Sequence, residues 1–148
     1  MENSQGRLPP VRVLNGLSEK ALGLLSSQAE RHVIPPGTVF VKEEETGNRM
    51  FLIESGAVRV FKNRKGKEVE LAVLKTGDCF GEGCILTTLP RMASVQSTIE
   101  TVVYSLSSMA FYRLYQTMPD QYSILVLNIA RELSRRLREL DDSLVACQ

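Results

Sequence analysis

Hydrophobic and polar positions follow three rhythms along this chain. In "LNGLSEKALGLLSSQAERHVIPPG", Leu22, Leu25 and Ala29 recur at the three-to-four spacing of one helical face, and Ser18 stands ahead of them as an N-cap. Pro35, Pro36 and Gly37 stop that helix and open something extended. The segments "TVFVKEE", "RMFLIES", "AVRVFKN", "EVELAVL" and "TVVYSLS" are short, rich in Val, Ile, Phe, Leu and Thr, and partly alternating, so they read as strands. Turn signals at "ETGN", "SG", "NRKGK" and "KTGD" separate them. Their close spacing predicts a small antiparallel β-roll, with "NRKGKE" as a solvated hairpin tip.

After Pro119 the rhythm is helical again. Val126, Ala130, Leu133, Leu137, Leu140 and Leu144 are alternately four and three apart, which is a heptad seam. Such a seam either packs the helix on its own roll or pairs it with a second copy. Charge off the seam in "ARELSRRLRELDDSL" favours pairing. With Leu133 and Leu140 at d and Ala130 and Leu137 at a, Arg136 falls at g and Asp141 at e, positions that meet across a parallel dimer. A homodimer through Val126–Leu144 is therefore expected. The arginines of this segment interleave with Glu132, Glu139, Asp141 and Asp142, so they read as a solvated face and not as an RNA or lipid patch.

Composition narrows the function. The 148 residues suit one domain with a real core, and a net charge of +1 lacks the basic excess of a nucleic-acid binder. No apolar run reaches a membrane span, and "MENSQGRLPP" has no signal-peptide core, so the expected location is cytoplasmic. Cys79, Cys84 and Cys147 form no CxxC pair and are expected as reduced thiols, with no metal site. His32, the only histidine, reads as a helix-end or surface residue. No Ser-His-Asp set, Walker loop or carboxylate pair is evident, which predicts a protein that is not an enzyme.

One stretch carries chemistry. "FGEGCILTTLPRMASV", Phe80 to Val95, is mostly apolar or small, yet it holds Glu82 and Arg91. Gly81 and Gly83 permit a tight turn and close approach of a ligand to the backbone. A short helical turn after them would offer free N–H groups to an anion. Arg91 supplies a fixed fork of donors suited to phosphate, and ionised Glu82 accepts from hydroxyls such as those of a ribose. A phosphate-and-ribose ligand would explain both charges, and so would a Glu82–Arg91 ion pair. Residue chemistry alone leaves both readings open.

"FGE" at Phe80–Glu82 followed by "PRMASV" at Pro90–Val95 resembles the phosphate-binding cassette of the cyclic-nucleotide-binding domains found in catabolite-activator-type regulators, protein kinase regulatory subunits and gated channels. "MFLIESGAVRVF", around Gly56, is similar to that family's strand, turn and strand. The resemblance runs from about Leu14 to the C-terminal helix. It implies a single domain over 1–148: a helical part at about 14–32, a β-roll at 33–108 with its cassette at 80–95, and C-terminal helices at 109–148. It implies a ligand, cAMP or cGMP, with Arg91 on the phosphate and Glu82 on the ribose hydroxyl. Backbone N–H groups near Gly81, Gly83, Cys84, Met92 and Ala93 would complete the cradle. The base would lie near Val73 and Leu74 beneath the last helix, capped by Arg136 or Arg131.

"GEGC" and the Arg91–Met92 pair resemble a subset of bacterial members. Met92 stands where cAMP-selective members carry Ala or Ser and cGMP-binding ones Thr. It brings no hydroxyl, and the expectation leans to cAMP. DNA-binding members continue into a helix-turn-helix, which this sequence does not show after Leu144. The expected role is a stand-alone sensor whose output is an effector protein or its own dimer state. The alternatives are a non-binding scaffold of the same fold and a sensor of another anionic effector.

Overall fold

A computed structural model describes residues 8–147. A short turn of 3-10 helix at Arg12–Leu14 precedes α1 (Glu19–Gln28) and then eight strands: β1 (Glu30–Ile34), β2 (Val39–Val41), β3 (Arg49–Ser55), β4 (Ala57–Arg64), β5 (Lys67–Lys75), β6 (Cys79–Phe80), β7 (Ser94–Ser97) and β8 (Thr101–Ser107). Helix α2 (Gly83–Leu86) interrupts the strands, and α3 (Ser108–Thr117) and α4 (Pro119–Ala146) close the chain. The strands form two four-stranded sheets, ordered β1-β8-β3-β6 and β2-β7-β4-β5, in which every pairing is antiparallel. This is the expected β-roll with a helix before it and a long helix after it.

Alternation along β3 explains why its middle, Met50 to Ile53, is an unbroken apolar run. Ile53 and Phe51 face the second sheet, where they meet Val58, Leu74 and Val95. Met50 and Leu52 face the other way and pack with Leu25 of α1, Phe111 of α3 and Ile129 of α4. The sheet is thus buried on both faces. The "NRKGKE" hairpin turns on Lys65 and Gly66, both with positive φ (54° and 78°), the two-residue geometry that matches strand twist. Ser18 caps α1 by accepting from Ala21 N–H at 3.1 Å.

Helix α1 ends earlier than its pattern suggests. Ala29 is already extended, and Glu30–Ile34, the five residues up to the prolines, pair with β8. His32 therefore sits on a strand, not at a helix end. Helix α3 runs on from β8, capped by Ser107, and was not apparent from the helical rhythm, which becomes plain only after Pro119.

The seam on α4 does not pack on the roll. Leu133, Leu137, Leu140 and Leu144 are exposed, and the stripe turned inward is Leu125, Ile129, Glu132 and Arg136, one residue ahead. One residue is about 100° of rotation, so the two stripes are separate faces. Among the described residues no helix is long and apolar enough to cross a membrane.

The inward face is fixed by ions as well as by packing. Arg12 donates to Asp78 Oδ1 at 2.5 Å and to Glu132 Oε1 at 2.8 Å, tying the segment before α1 to both the roll and α4. Arg135 donates to the other Glu132 oxygen at 2.8 Å. Asn128 donates to the carbonyls of Val13 and Asn15. Burial pushes the Glu132 carboxyl up, but the hydrogen bonds from Arg12 and Arg135 outweigh it and hold the group below the usual carboxylate range.

A lowered folded pKa stabilises the fold above the unfolded value and loses that contribution as pH falls through the folded one. Glu132→Gln is expected to reduce stability at pH 7 by about 1–3 kcal/mol. It is also expected to flatten the loss of melting temperature as the wild type is acidified from about pH 6 to pH 3. Parallel acid dependence in the two proteins would remove Glu132 as the cause.

Candidate functional site

The cassette begins where β6 ends. Gly81 takes φ +84°, a left-handed value that reverses the chain after Phe80. Helix α2 follows for one turn, with Ile85 and Leu86 N–H donating to the Glu82 carbonyl at 3.0 Å. Thr87 ends the turn, its hydroxyl donating to Gly83 O at 2.7 Å. The chain then returns to Arg91, whose backbone is clipped to the loop between β2 and β3: Arg91 N–H donates to Glu45 O at 2.9 Å and Glu44 N–H to Arg91 O at 2.7 Å.

The Arg91 side chain runs inward, and the residue is only 9% exposed. Its guanidinium donates to Arg49 O at 2.8 Å and, less directly, to Gly81 O at 3.4 Å, with its carbon 5.7 Å from the centre of the Phe51 ring. Among the described residues no carboxylate pairs with it. The Glu82–Arg91 ion pair that residue chemistry left open does not form.

Glu82 has a different cation. Its Oε1 lies 3.8 Å from Arg136 Nη1, beyond hydrogen-bond length, and its Oε2 is buried without a partner. Arg136 reaches down from α4 and donates through Nη2 to the Cys79 carbonyl, while its Nε is also buried and unpaired. Burial pushes the Cys79 thiol up to about 12 against the opposing influence of Arg136, so this cysteine stays protonated.

Helix α4 thus brings Arg136 to the cassette and leaves Arg131 outside it. Arg131 is exposed beside Arg12, Asn15 and Asn128, because five residues turn the helix by roughly 140°. The inward turn of Arg136, in contact with Glu82, also corrects the expected pairing with a partner's Asp141. Val73 is a second correction. It registers with Arg59, whose guanidinium lies over Phe61 on the outer face, while Leu74 points into the core. Val73 faces away from the cassette, and the apolar wall expected there is Leu74 alone. Met92 stands on the rim, 71% exposed, and Ala93 is buried where the chain enters β7. Cys84 is half-buried on α2.

Two features were not legible as site elements. Gly47 and the Arg49 carbonyl, part of the seat of Arg91, sit in and after "ETGN", which signals only a turn. His32, Ser105 and Glu30 also converge, with His32 Nε2 3.0 Å from Ser105 Oγ and 3.8 Å from Glu30 Oε2. Both contacts use the same ring nitrogen, and Ser105 is fully buried under a hydrogen bond from Arg49, so this is no catalytic triad. A surface groove lined by Val39, Phe61 and Arg64 among others lies by the outer face of the second sheet and does not include Arg91 or Glu82.

The cassette of this roll thus holds a buried guanidinium with no carboxylate partner among the described residues and a carboxylate, Glu82, that meets only Arg136 of the long helix, at 3.8 Å. Residues 31–118 match the cyclic nucleotide-binding domain family, and the chain belongs to it. It is 37% identical over 115 residues to a cAMP-dependent protein kinase regulatory subunit of Yarrowia lipolytica, covering 78% of this chain and 30% of that protein. The catabolite activator protein of Thermus thermophilus superposes with a TM-score of 0.76 at 30% identity, over 92% of this chain and 62% of that one. The regulatory domain of Toxoplasma gondii PKA, solved with cAMP, gives 0.65 at 27% identity, over 70% and 40%. The chain spans under a third of the kinase regulatory subunits it matches.

A buried cation without a carboxylate contributes little to folding, because its desolvation offsets its contacts. Arg91→Met is expected to leave the stability of the ligand-free protein within about 1 kcal/mol of wild type, or to raise it. A loss of about 3–5 kcal/mol in chemical denaturation would instead make the seat of Arg91 on its carbonyls and the Phe51 ring a requirement of the fold.

Proposed function

We propose that this chain is a sensor that binds a cyclic nucleotide, cAMP in preference to cGMP, and signals through α4. The observation that carries the reading is Arg91: a guanidinium withdrawn from water, held by carbonyls and lacking an anion of its own. The cyclic phosphate supplies that anion. Glu82 Oε2 accepts the ribose hydroxyl, and the apolar inner face near Leu74 receives the base under α4, with Arg136 at its edge. The preference for cAMP rests on two supports. Met92 offers no hydroxyl where one would assist a guanine, and the T. gondii relative was solved with cAMP. The described chain then works as one binding unit whose output is a dimer state or an effector protein.

The exposed seam supports the dimer. Leu133, Leu137, Leu140 and Leu144 lie off the roll-facing stripe of α4, free to pair with a second copy. Cys147 continues the same spacing, three residues beyond Leu144, and is exposed. In a parallel, in-register dimer the two Cys147 thiols face each other.

Cyclic nucleotide at a hundred times its dissociation constant is expected to stabilise the protein by about 2.7 kcal/mol, read as a rise in melting temperature. Arg91→Ala removes most of that rise, and Glu82→Gln weakens binding by about 1–3 kcal/mol. An Arg91→Ala protein that binds as well as wild type would end this reading, and silence of the wild type toward both nucleotides would favour a scaffold or another anion.

Replacing Leu133 and Leu137 by Lys is expected to shift the sedimentation coefficient to that of a monomer with the roll still folded. Mild oxidation with diamide should cross-link wild type through Cys147 and leave Cys147→Ser uncross-linked. A wild type that sediments as a monomer at high concentration contradicts the dimer, and a dimer that resists cross-linking contradicts the parallel register.

A further inference from the structure

Gly47 lies in the loop between β2 and β3, and its φ is outside the left-handed region, so nothing in its own backbone calls for glycine. Its surroundings do. A Cβ built there would stand 2.3 Å from Arg91 Nε, 2.6 Å from Cζ and 2.6 Å from Nη2, and these three nearest atoms all belong to the Arg91 guanidinium. Gly81 on the other side also approaches Arg91, its Cβ position 2.7 Å from Nη1, but its φ of +84° would require glycine in any case.

We propose that Gly47 is a positioning residue for the anion site: its missing side chain opens the slot in which the Arg91 guanidinium lies. The guanidinium cannot retreat from a methyl group at 47 and keep its place. It is held by Arg49 O, Gly81 O and the Phe51 ring, and moving it off them removes the hydrogen bonds that set its orientation; Nη2, one of the atoms a methyl group would strike, is itself the donor to Arg49 O. The same loop grips the Arg91 backbone through Glu44 and Glu45, so the chain at 91 is pinned and the displacement falls on the side chain. The loop is therefore a wall of the site, reached from a part of the sequence that carries no cassette motif. The effect on nucleotide binding rests on the cyclic-nucleotide reading above; the placement of Arg91 does not.

The test has a ligand-free arm and a binding arm. In ligand-free protein the Arg91 Nε–H resonance, assigned by its loss in Arg91→Lys, is expected to shift and exchange faster with water in Gly47→Ala. An unchanged resonance overturns the proposal. In calorimetry with cAMP, Gly47→Ala is expected to bind roughly ten- to a hundredfold more weakly, the loss of about one charged hydrogen bond, with its ligand-free melting temperature within a few degrees of wild type. Wild-type affinity in Gly47→Ala also overturns it. If wild type binds no cyclic nucleotide, the functional reading fails and the resonance alone decides the role of Gly47. If Gly47→Ala does not fold, the double variant with Arg91→Ala is expected to fold again, since the group in the way is gone. Failure of both to fold would make Gly47 a requirement of the loop and refute the proposal.

Discussion

A guanidinium held out of water without a carboxylate is the constraint on which the rest of this site depends. An isolated buried charge is costly unless fixed dipoles replace its hydration. Here the replacements are the carbonyls of Arg49 and Gly81 and the face of Phe51. Arg49 and Phe51 come from β3 and Gly81 from the turn after β6, while the β2–β3 loop holds the Arg91 backbone, so Arg91 is seated only when all three are assembled. The aromatic floor is shared: Phe51 stacks on Phe80 at 5.1 Å, and Phe40 meets both edge-on. Core packing and the placement of the cation are thus one arrangement.

Helix α4 carries two apolar faces with different tasks. The inner one is clamped by Leu125, Ile129 and the Arg12–Glu132 ion pair, which fixes the helix where Arg136 can descend to Cys79 and Glu82. The outer one, Leu133 to Leu144, is turned to solvent in the single chain. Because the faces are one residue apart on the same helix, any rotation of α4 that followed a change in the seat of Arg136 would turn the seam with it. On the proposed reading, this is how occupancy of the cassette reaches a partner.

What the sequence revealed follows the physics of each element. Strands β2, β3, β4, β5 and β8 stood out because apolar, β-branched runs bounded by turn signals have few other uses. Strand β1 did not, since "ERHVI" mixes charge with apolar residues just after a helical pattern. Strand β7 hid inside the cassette because Ser94 and Gln96 interrupt its apolar positions. Glu82 and Arg91 were legible as charges in an apolar stretch. Their separation was not, because whether two such groups pair depends on the path of the chain between them. Val73 and Arg131 failed for a shared reason: each depends on a parity or a rotation, which face of β5 and which side of α4, and those are set by long-range packing. Gly47 was invisible because the atom that requires it belongs to a residue distant in sequence.

The unpaired atoms of Glu82 and Arg136 bear on whether the cassette is a scaffold or a site. A buried polar atom without a partner costs about 1–3 kcal/mol, and a fold kept only for its architecture has an easy remedy: bring the two side chains into hydrogen-bond contact. Glu82 and Arg136 are 3.8 Å apart and do not close, because Arg136 Nη2 is drawn to the Cys79 carbonyl and Glu82 is fixed by the turn of α2. Glu82 Oε2 can only accept, and Arg136 Nε and the spare hydrogens of Arg91 can only donate. A ligand that presents a hydroxyl and an anionic group on one small rigid frame satisfies both needs, whereas a simple anion meets only the second. The unpaired groups therefore call for a ligand with both a hydroxyl donor and an anionic group, which the ribose phosphate of the proposed reading supplies.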